Sequence, residues 1–197
     1  MKWVLADPHL FHKKIVTHFM FRPYASVEEM NEDIIDTINQ YVKESHTLYL
    51  LGDISFEYDP DKNLEILKKI NCKNIHLVVG NHDHTEMREL PIWKSVNHYL
   101  EVKNDKKFFV LCHYPFESWN KSSKGSIMVH GHCHGSSKKV PNRFDVGWDV
   151  RGRPVSLDEL ILEWNDNPDS WVDHHAHESD GTVKSLWKRI SNLIGMK

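Results

Sequence analysis

The sequence has few cysteines, no long apolar run and little net charge. It contains only Cys72, Cys112 and Cys133, whose spacing matches no disulfide framework, and this favours a reducing compartment. No stretch is long enough to span a membrane. The apolar opening at residues 3–6 ends at Asp7, too soon for a secretory leader. We therefore expect a cytoplasmic protein without a membrane segment.

The composition is that of an ordinary globular protein. The formal net charge of −3 argues against a surface that binds nucleic acids nonspecifically. A length of 197 residues favours one domain with a small appendage. We predict a domain over residues 1–165, followed at 166–197 by a polar linker and a small amphipathic helix. The chain is rich in histidine, with 15 residues of this type, and their positions carry the argument below.

Short apolar runs alternate with segments of helical period. Ser26 and Ser156 each begin a capping box, the pattern that starts a helix. The predicted strands cover residues 3–6, 47–51, 75–79, 96–102, 107–112 and 127–129, with a short one at 143–147. The predicted helices cover about 27–43, 59–70, 85–90 and 156–164.

A histidine, aspartate or asparagine follows five of the predicted strands. Ligands bind beyond the carboxyl ends of strands in open α/β sheets, so we expect these side chains to meet at one rim. The set is too large for one metal ion and suits two. Its members are Asp7, His9, Asp53, Asn81, His113, His132 and His134.

These donors indicate which metals the site prefers. Imidazole and carboxylate suit Mn, Fe, Zn, Ni or Co, whereas a thiolate zinc site would need more cysteines. The carboxylate of Asp53 is the natural bridge between two ions. Such a pair, about 3.5–4 Å apart, clamps both oxygens of an in-line displacement and lowers the pKa of bound water to about 7. After Asp7 and Asp53 cancel two of the four positive charges, the rest stabilises a hydroxide and a phosphoryl group.

Five segments, in this order, resemble the motifs of the calcineurin-like metallophosphoesterases. They are Asp7-x-His9, Gly52-Asp53, Gly80-Asn81-His82-Asp83, His113 and Gly131-His132-x-His134. Residues 9–12, 22–23 and 155–159 are similar to small bacterial and phage-type members. The resemblance implies an α/β fold, a four-layer α/β/β/α sandwich of two mixed sheets flanked by helices, with a dinuclear site.

The resemblance also implies roles for individual residues. One ion would be held by Asp7, His9, Asp53 and His134, and the other by Asp53, Asn81, His113 and His132. His82 matches the histidine that contacts the phosphate or protonates the leaving group, and Asp83 would orient it. Asp53 and His82 are thus the predicted catalytic residues, and Asn81 and His82 the predicted substrate contacts.

Other residues allow two interpretations. His12 contacts substrate at the rim or packs on Phe11, and Arg22 binds a phosphate or supports a loop. A late cluster suggests a third metal site, although incidental composition in a polar loop explains it as well. The cluster consists of Asp173, His174, His175, His177 and Glu178.

The function that follows is a metal-dependent phosphoesterase that uses two divalent ions, Mn first among them, and a metal-bridging hydroxide. A chain without a large cap insertion leaves the site open, which favours a phosphodiesterase on nucleotide-type or small phosphoesters. The alternatives are a phosphomonoesterase of the same fold and, from a different class, a non-catalytic binding scaffold. A scaffold would be expected to have lost ligands, whereas here every ligand position holds a competent residue.

Overall fold

The computed structural model describes residues 1–19 and 22–165. The predicted linker, C-terminal helix and late histidine cluster lie outside the described residues, so these expectations and the boundary at residue 165 stay predictions. Within the described part, no helix is both long and apolar enough to cross a membrane. The three cysteines are free.

Nine strands form two mixed sheets. The strands are β1 (Lys2–Leu5), β2 (Thr47–Leu50), β3 (Asn74–Val78), β4 (Trp93–Asn97), β5 (Leu100–Asn104), β6 (Lys107–Leu111), β7 (Ile127–His130), β8 (Arg143–Asp145) and β9 (Val155–Ser156). The first sheet has the order β4-β3-β2-β1-β9, with β9 antiparallel to four parallel strands. The second has the order β5-β6-β7-β8, with β5 antiparallel to β6 and the others parallel.

One predicted strand was wrong. Residues 96–102 form no single strand, because β4 ends at Asn97 in the first sheet and β5 begins at Leu100 in the second. The chain passes from one sheet to the other at residues 98–99. Both segments are extended, so the local pattern alone could not indicate that their hydrogen-bond partners lie in different sheets.

Two helices begin directly after the predicted capping residues Ser26 and Ser156. The helices are α1 (Val27–Tyr41), α2 (Pro60–Leu67), α3 (Thr85–Arg88), α4 (Trp148–Arg151) and α5 (Leu157–Asn165), with a π-helical turn at Ile15–Phe19 and a 3-10 turn at Ser122–Lys124. The Ser26 side chain accepts a hydrogen bond from the Glu29 amide. Ser156 and Glu159 exchange two such bonds, at 3.1 and 2.8 Å. The sequence had not predicted α4, β9 or the π-helical turn.

Alternation along the strands builds two cores. Trp3 and Leu5 pack beneath the helices, whereas Val4 and Ala6 pack between the two sheets. On the far face of the second sheet, Trp119 and the loop around it cover alternate residues of β6 and β7. The arrangement of two mixed sheets flanked by helices confirms the predicted fold class. The loops that follow the carboxyl ends of β1, β2, β3, β6 and β7 carry the predicted ligands.

Candidate metal centre

Unusual backbone angles aim the predicted ligands inward. Asp7, His9, Asp53, His132 and His134 all adopt left-handed conformations, with φ of 54°, 52°, 53°, 69° and 47°. Residues other than glycine seldom take this backbone conformation. It costs about 1–3 kcal/mol per residue, so the surrounding structure must hold it in place. The strain therefore coincides with the residues that the sequence singled out.

Two glycines let neighbouring motifs touch. A Cβ atom on Gly52, whose φ is 83°, would lie 2.6 Å from the Gly80 Cα atom. A Cβ atom on Gly80 would lie 2.5 Å from the Asp53 amide nitrogen. A larger side chain at either position would force apart the loops after β2 and β3.

The first triad consists of Asp7, His9 and His134, each of which offers a ligand atom within 4.8 Å of the other two. Asp7 and His9 are 0% and 3% exposed. The Asp7 Oδ1 and His9 Nε2 atoms have no hydrogen-bond partner although both are buried, and 3.9 Å separates them. Burial raises the pKa of Asp7 to about 8 and lowers the pKa of His9 to about 2.

These orphaned atoms fit a divalent cation. An ion about 2.0–2.2 Å from a carboxylate oxygen and an imidazole nitrogen would satisfy both atoms at this separation. Leaving two buried polar atoms unpaired is costly without such an ion. The donor set of the first triad therefore fits a metal.

The second triad consists of Asp53, His113 and His132, again with ligand atoms within 4.8 Å of one another. The His113 Nδ1 atom lies 2.8 Å from the Leu51 carbonyl oxygen, which can only accept, so this nitrogen carries the proton. In that tautomer His113 Nε2 presents a lone pair, and the Asn81 Oδ1 atom lies 2.9 Å from it. Two facing lone pairs suit a shared cation, so Asn81 joins this group.

Asp53 lies between the triads. Its Oδ2 atom is 3.8 Å from His9 Nε2 and 3.5 Å from His113 Nε2. Its Oδ1 atom accepts a hydrogen bond of 2.8 Å from the His82 amide, which fixes the carboxylate. This is the position that a bridging ligand requires.

Asp83 does not orient His82, contrary to the prediction. Its carboxylate is 1% exposed and accepts hydrogen bonds from the amides of Asp53, Ile54 and Gly80, at 3.1, 2.9 and 2.7 Å. Asp83 therefore joins the loops after β2 and β3. The motif suggested the adjacent His82 as the partner of Asp83, whereas its partners are backbone amides that a side-chain motif does not reveal.

Asp149 is a site residue that sequence reasoning missed. Its Oδ2 atom lies 2.6 Å from His134 Nδ1, which leaves His134 Nε2 for the metal. Arg22 donates to both oxygens of Asp149, at 2.8 and 2.9 Å, and also to the carbonyls of Pro8 and Asp7. Arg22 is only 4% exposed, so these contacts favour the supporting role for it over a phosphate contact.

Hydrogen bonds set the charges of this pair. The bond to Asp149 raises the pKa of His134. Burial opposes ionisation of Asp149, yet the hydrogen bonds from His134 and Arg22 outweigh it and hold the pKa of that carboxyl below its usual range.

The predicted rim residues lie around the first triad. His82 and Asn81 are exposed. His12 packs on Phe56, with ring centroids 3.7 Å apart, and its Nδ1 atom is 3.3 Å from His9 Nδ1. His12 can therefore orient the ring of a predicted ligand. Phe56, which the sequence did not single out, also faces the rings of His82 and His9, at 4.7 and 5.1 Å.

The chain belongs to the calcineurin-like phosphoesterases, because the Metallophos family model (calcineurin-like phosphoesterase) matches residues 3–192. Membership supports a metal-dependent hydrolase of phosphate esters, and the two triads are two possible sites for the divalent metals that this family uses. The resemblance predicted from the motifs is confirmed.

Sequence relatives extend over most of the chain. An uncharacterized protein of Methanocaldococcus jannaschii, MJ1445, is 27% identical over 167 residues, which cover 81% of this chain and 88% of the relative. The Gene 66 protein of Mycobacterium phage D29 is 24% identical and covers 83% of this chain and 96% of its own length. Among solved structures, the protein of unknown function AQ665 from Aquifex aeolicus shares the fold. It has a TM-score of 0.66 and 20% identity, with coverage of 83% of this chain and 98% of the other.

Proposed function

We propose that this protein is a phosphodiesterase that acts on nucleotide-type or small phosphoesters with two divalent ions, Mn²⁺ first among them. The observation that carries the proposal is the pair of orphaned, buried atoms, Asp7 Oδ1 and His9 Nε2, beside a carboxylate that also reaches the second triad. When bound, the ions would supply an activated water and neutralise phosphoryl charge. Fe, Ni, Co or Zn would suit the same donors. The cytoplasmic location stays a prediction.

The residues of the chain divide the remaining work. Asp7, His9, Asp53 and His134 would hold one ion, and Asp53, Asn81, His113 and His132 the other. His82 and Asn81 are exposed beside these ligands, where they can contact the phosphate oxygens. His82 can also donate a proton to the leaving oxygen. The structure describes no large insertion over this rim, which favours diesters with two organic groups over substrates that need a closed pocket.

The test is hydrolysis by metal-stripped protein after resupply of Mn²⁺, Ni²⁺, Co²⁺, Zn²⁺ or Mg²⁺. We expect turnover of bis-p-nitrophenyl phosphate to return with a particular metal and to exceed turnover of p-nitrophenyl phosphate. Monoester turnover alone would replace the proposal with the phosphomonoesterase alternative. Absence of both turnover and bound metal would favour the non-catalytic scaffold. The orphaned atoms argue against that alternative, because a scaffold without metal would leave two buried polar atoms unpaired.

The role of His82 has its own test. We expect His82→Ala to keep both metals and to lose turnover, with the larger loss on diesters whose leaving group is a poor one. The measurements are metal content and kcat on an aryl and an alkyl diester. Normal turnover of the alkyl diester would show that this histidine does not serve the leaving group.

A further inference from the structure

A pocket opens directly from the metal centre on the side of His82. Its volume is about 690 Å³. Three of its lining residues belong to the centre or its rim, namely His9, His82 and His134. The other walls are formed by Phe11, His12, Lys13, Lys14, Ile15 and Phe56. A group esterified to a phosphate at the centre would therefore extend into this pocket.

The size of the pocket indicates an organic group. Pockets that enclose whole small organic ligands measure about 300–1,000 Å³, which is far more than one phosphate needs. The cavity of 690 Å³ lies within this range. The ions account for the phosphate, so the pocket has room for a group of nucleoside size.

Beside its histidines, the pocket has two aromatic apolar walls, Phe11 and Phe56. The Phe56 ring lies between the rings of the rim, 4.7 Å from His82 and nearly parallel to His12 at an angle of 12°. Phe11 is partly exposed and Ile15 is buried. Aromatic walls favour planar groups, and contact between a base and an aromatic side chain contributes about 1–3 kcal/mol.

Two cations lie at the mouth of the pocket. Lys13 and Lys14 are exposed neighbours, and within residues 1–19 and 22–165 neither forms an ion pair with a carboxylate. Other basic residues do, as in the pairs Lys62–Glu57 and Arg151–Glu163. Two ammonium groups without a carboxylate partner among the described residues, beside a pocket with apolar walls, favour a ligand that is flat at one end and anionic at the other.

We propose that this pocket binds the nucleoside of a nucleotide that carries a second phosphate. Its base would lie against Phe11 and Phe56, and its second phosphate would lie at Lys13 and Lys14. This rests on the proposed function, because it assigns the reacting phosphate to the ions. It goes further by naming the substrate class and the residues that select it.

Equilibrium binding tests the proposal independently of turnover. Calorimetry on the metal-loaded full chain would compare inorganic phosphate, ribose 5-phosphate, adenosine 5′-monophosphate and adenosine 3′,5′-bisphosphate, with each ligand checked by chromatography for hydrolysis. We expect the monophosphate to bind about tenfold more tightly than ribose 5-phosphate, because it adds the base. We expect the bisphosphate to gain about a further fivefold from the lysines.

Matched variants separate the two contributions. Phe56→Leu should remove most of the preference for the base, and Phe56→Tyr should restore it. Lys13→Gln with Lys14→Gln should remove only the gain from the second phosphate. Tyr58→Leu removes an exposed aromatic side chain outside the pocket, and Lys68→Gln with Lys69→Gln removes another exposed lysine pair. Both controls should leave all four affinities unchanged.

The outcomes distinguish this proposal from the proposed function. Equal affinity of the wild-type protein for ribose 5-phosphate and adenosine 5′-monophosphate would overturn the assignment of the pocket, even in an active enzyme. Preferences that survive in the Phe56 and lysine variants would overturn it too. Absence of diester turnover, with both binding preferences present, would count against the enzyme and leave the nucleotide pocket standing.

Discussion

The two triads are built differently, although each holds one aspartate and two histidines. The first triad is dry, since Asp7 and His9 are almost fully buried and two of its ligand atoms have no partner. It also has a buried support, because Asp149 and Arg22 hold His134. In the second triad His132 is exposed, as is its neighbour Asn81. There the His113 Nε2 and Asn81 Oδ1 atoms lie 2.9 Å apart with their lone pairs facing each other.

This difference assigns a different task to each half of the centre. Solvent cannot satisfy the buried atoms of the first triad, so a cation there gains most from binding. The second triad is open to solvent at His132 and Asn81, where an incoming phosphate can replace water. We therefore expect tight, structural retention of one ion at the first triad and weaker, exchangeable binding of the other ion at the second.

The largest expected effect is that of Asp53→Ala. Asp53 Oδ2 faces a histidine of each triad, so its loss should release both ions and reduce diester turnover by at least about 10³-fold. The measurement combines metal content after dialysis with turnover at saturating Mn²⁺.

Asn81→Ala is the matched control, because Asn81 contacts only the second triad through His113. The Asn81 variant should lose the weakly bound ion of the second triad and keep the tightly bound ion of the first. Two tightly bound metals in the Asp53 variant would refute the bridge. Loss of both ions from the Asn81 variant would refute the difference between the triads.

A smaller effect is expected at Asp149, which touches no metal. Asp149→Asn and Arg22→Lys should each lower the affinity for the first ion by about 10–100-fold, the usual effect of losing a partner that orients a ligand. The second ion should be unaffected. Stepwise calorimetry with Mn²⁺ separates the two sites.

Glu163→Gln offers a comparison for the Asp149 variant, since it breaks a more exposed pair with Arg151. Glu163→Gln should leave the affinities for both ions unchanged. An equal loss of affinity for both ions in the Asp149 variant would point to general destabilisation rather than to loss of the orientation of His134.

The residues of the candidate metal centre were predictable because each motif is local. Asp7 and His9 follow β1 directly, and His132 and His134 follow β7, so a strand pattern and a short spacing identify them. The left-handed backbone at these positions had no such signal, because aspartate and histidine take it more often than other non-glycine residues but still in only a small fraction of cases.

The supports of the site were not predictable in the same way. Arg22 and Asp149 meet across 127 positions of sequence. The Trp148 amide donates to the Ala6 carbonyl, which places the start of α4 beside the residue that follows β1. Asp83 binds amides, which every residue has, so no pattern of side chains reveals its partners. Phe56 lay in a loop with no periodicity to place its ring. Sequence therefore indicated which side chains form the candidate metal centre and not which residues hold them in place.

The smallest expected effect is a pH dependence that only the first triad should show. Burial raises the pKa of Asp7 to about 8, and the hydrogen bond that His134 donates to Asp149 raises the pKa of His134, so both groups hold protons more strongly when folded. His9, with a pKa that burial lowers to about 2, acts in the opposite direction, but only below its ordinary value of 6.5.

Between about pH 6.5 and 8, therefore, the metal-free protein should lose stability as pH rises, because the folded state binds the extra protons. Calorimetry should show a falling Tm across this window, flattened by Asp7→Asn. Affinity for the first ion should rise over the same range, since Mn²⁺ binds the ionised carboxylate, while affinity for the second changes less. A metal-free Tm that increases from pH 6.5 to 8 would mean that the buried carboxyl of Asp7 is already charged, and the contrast between the triads would then rest on solvent exposure alone.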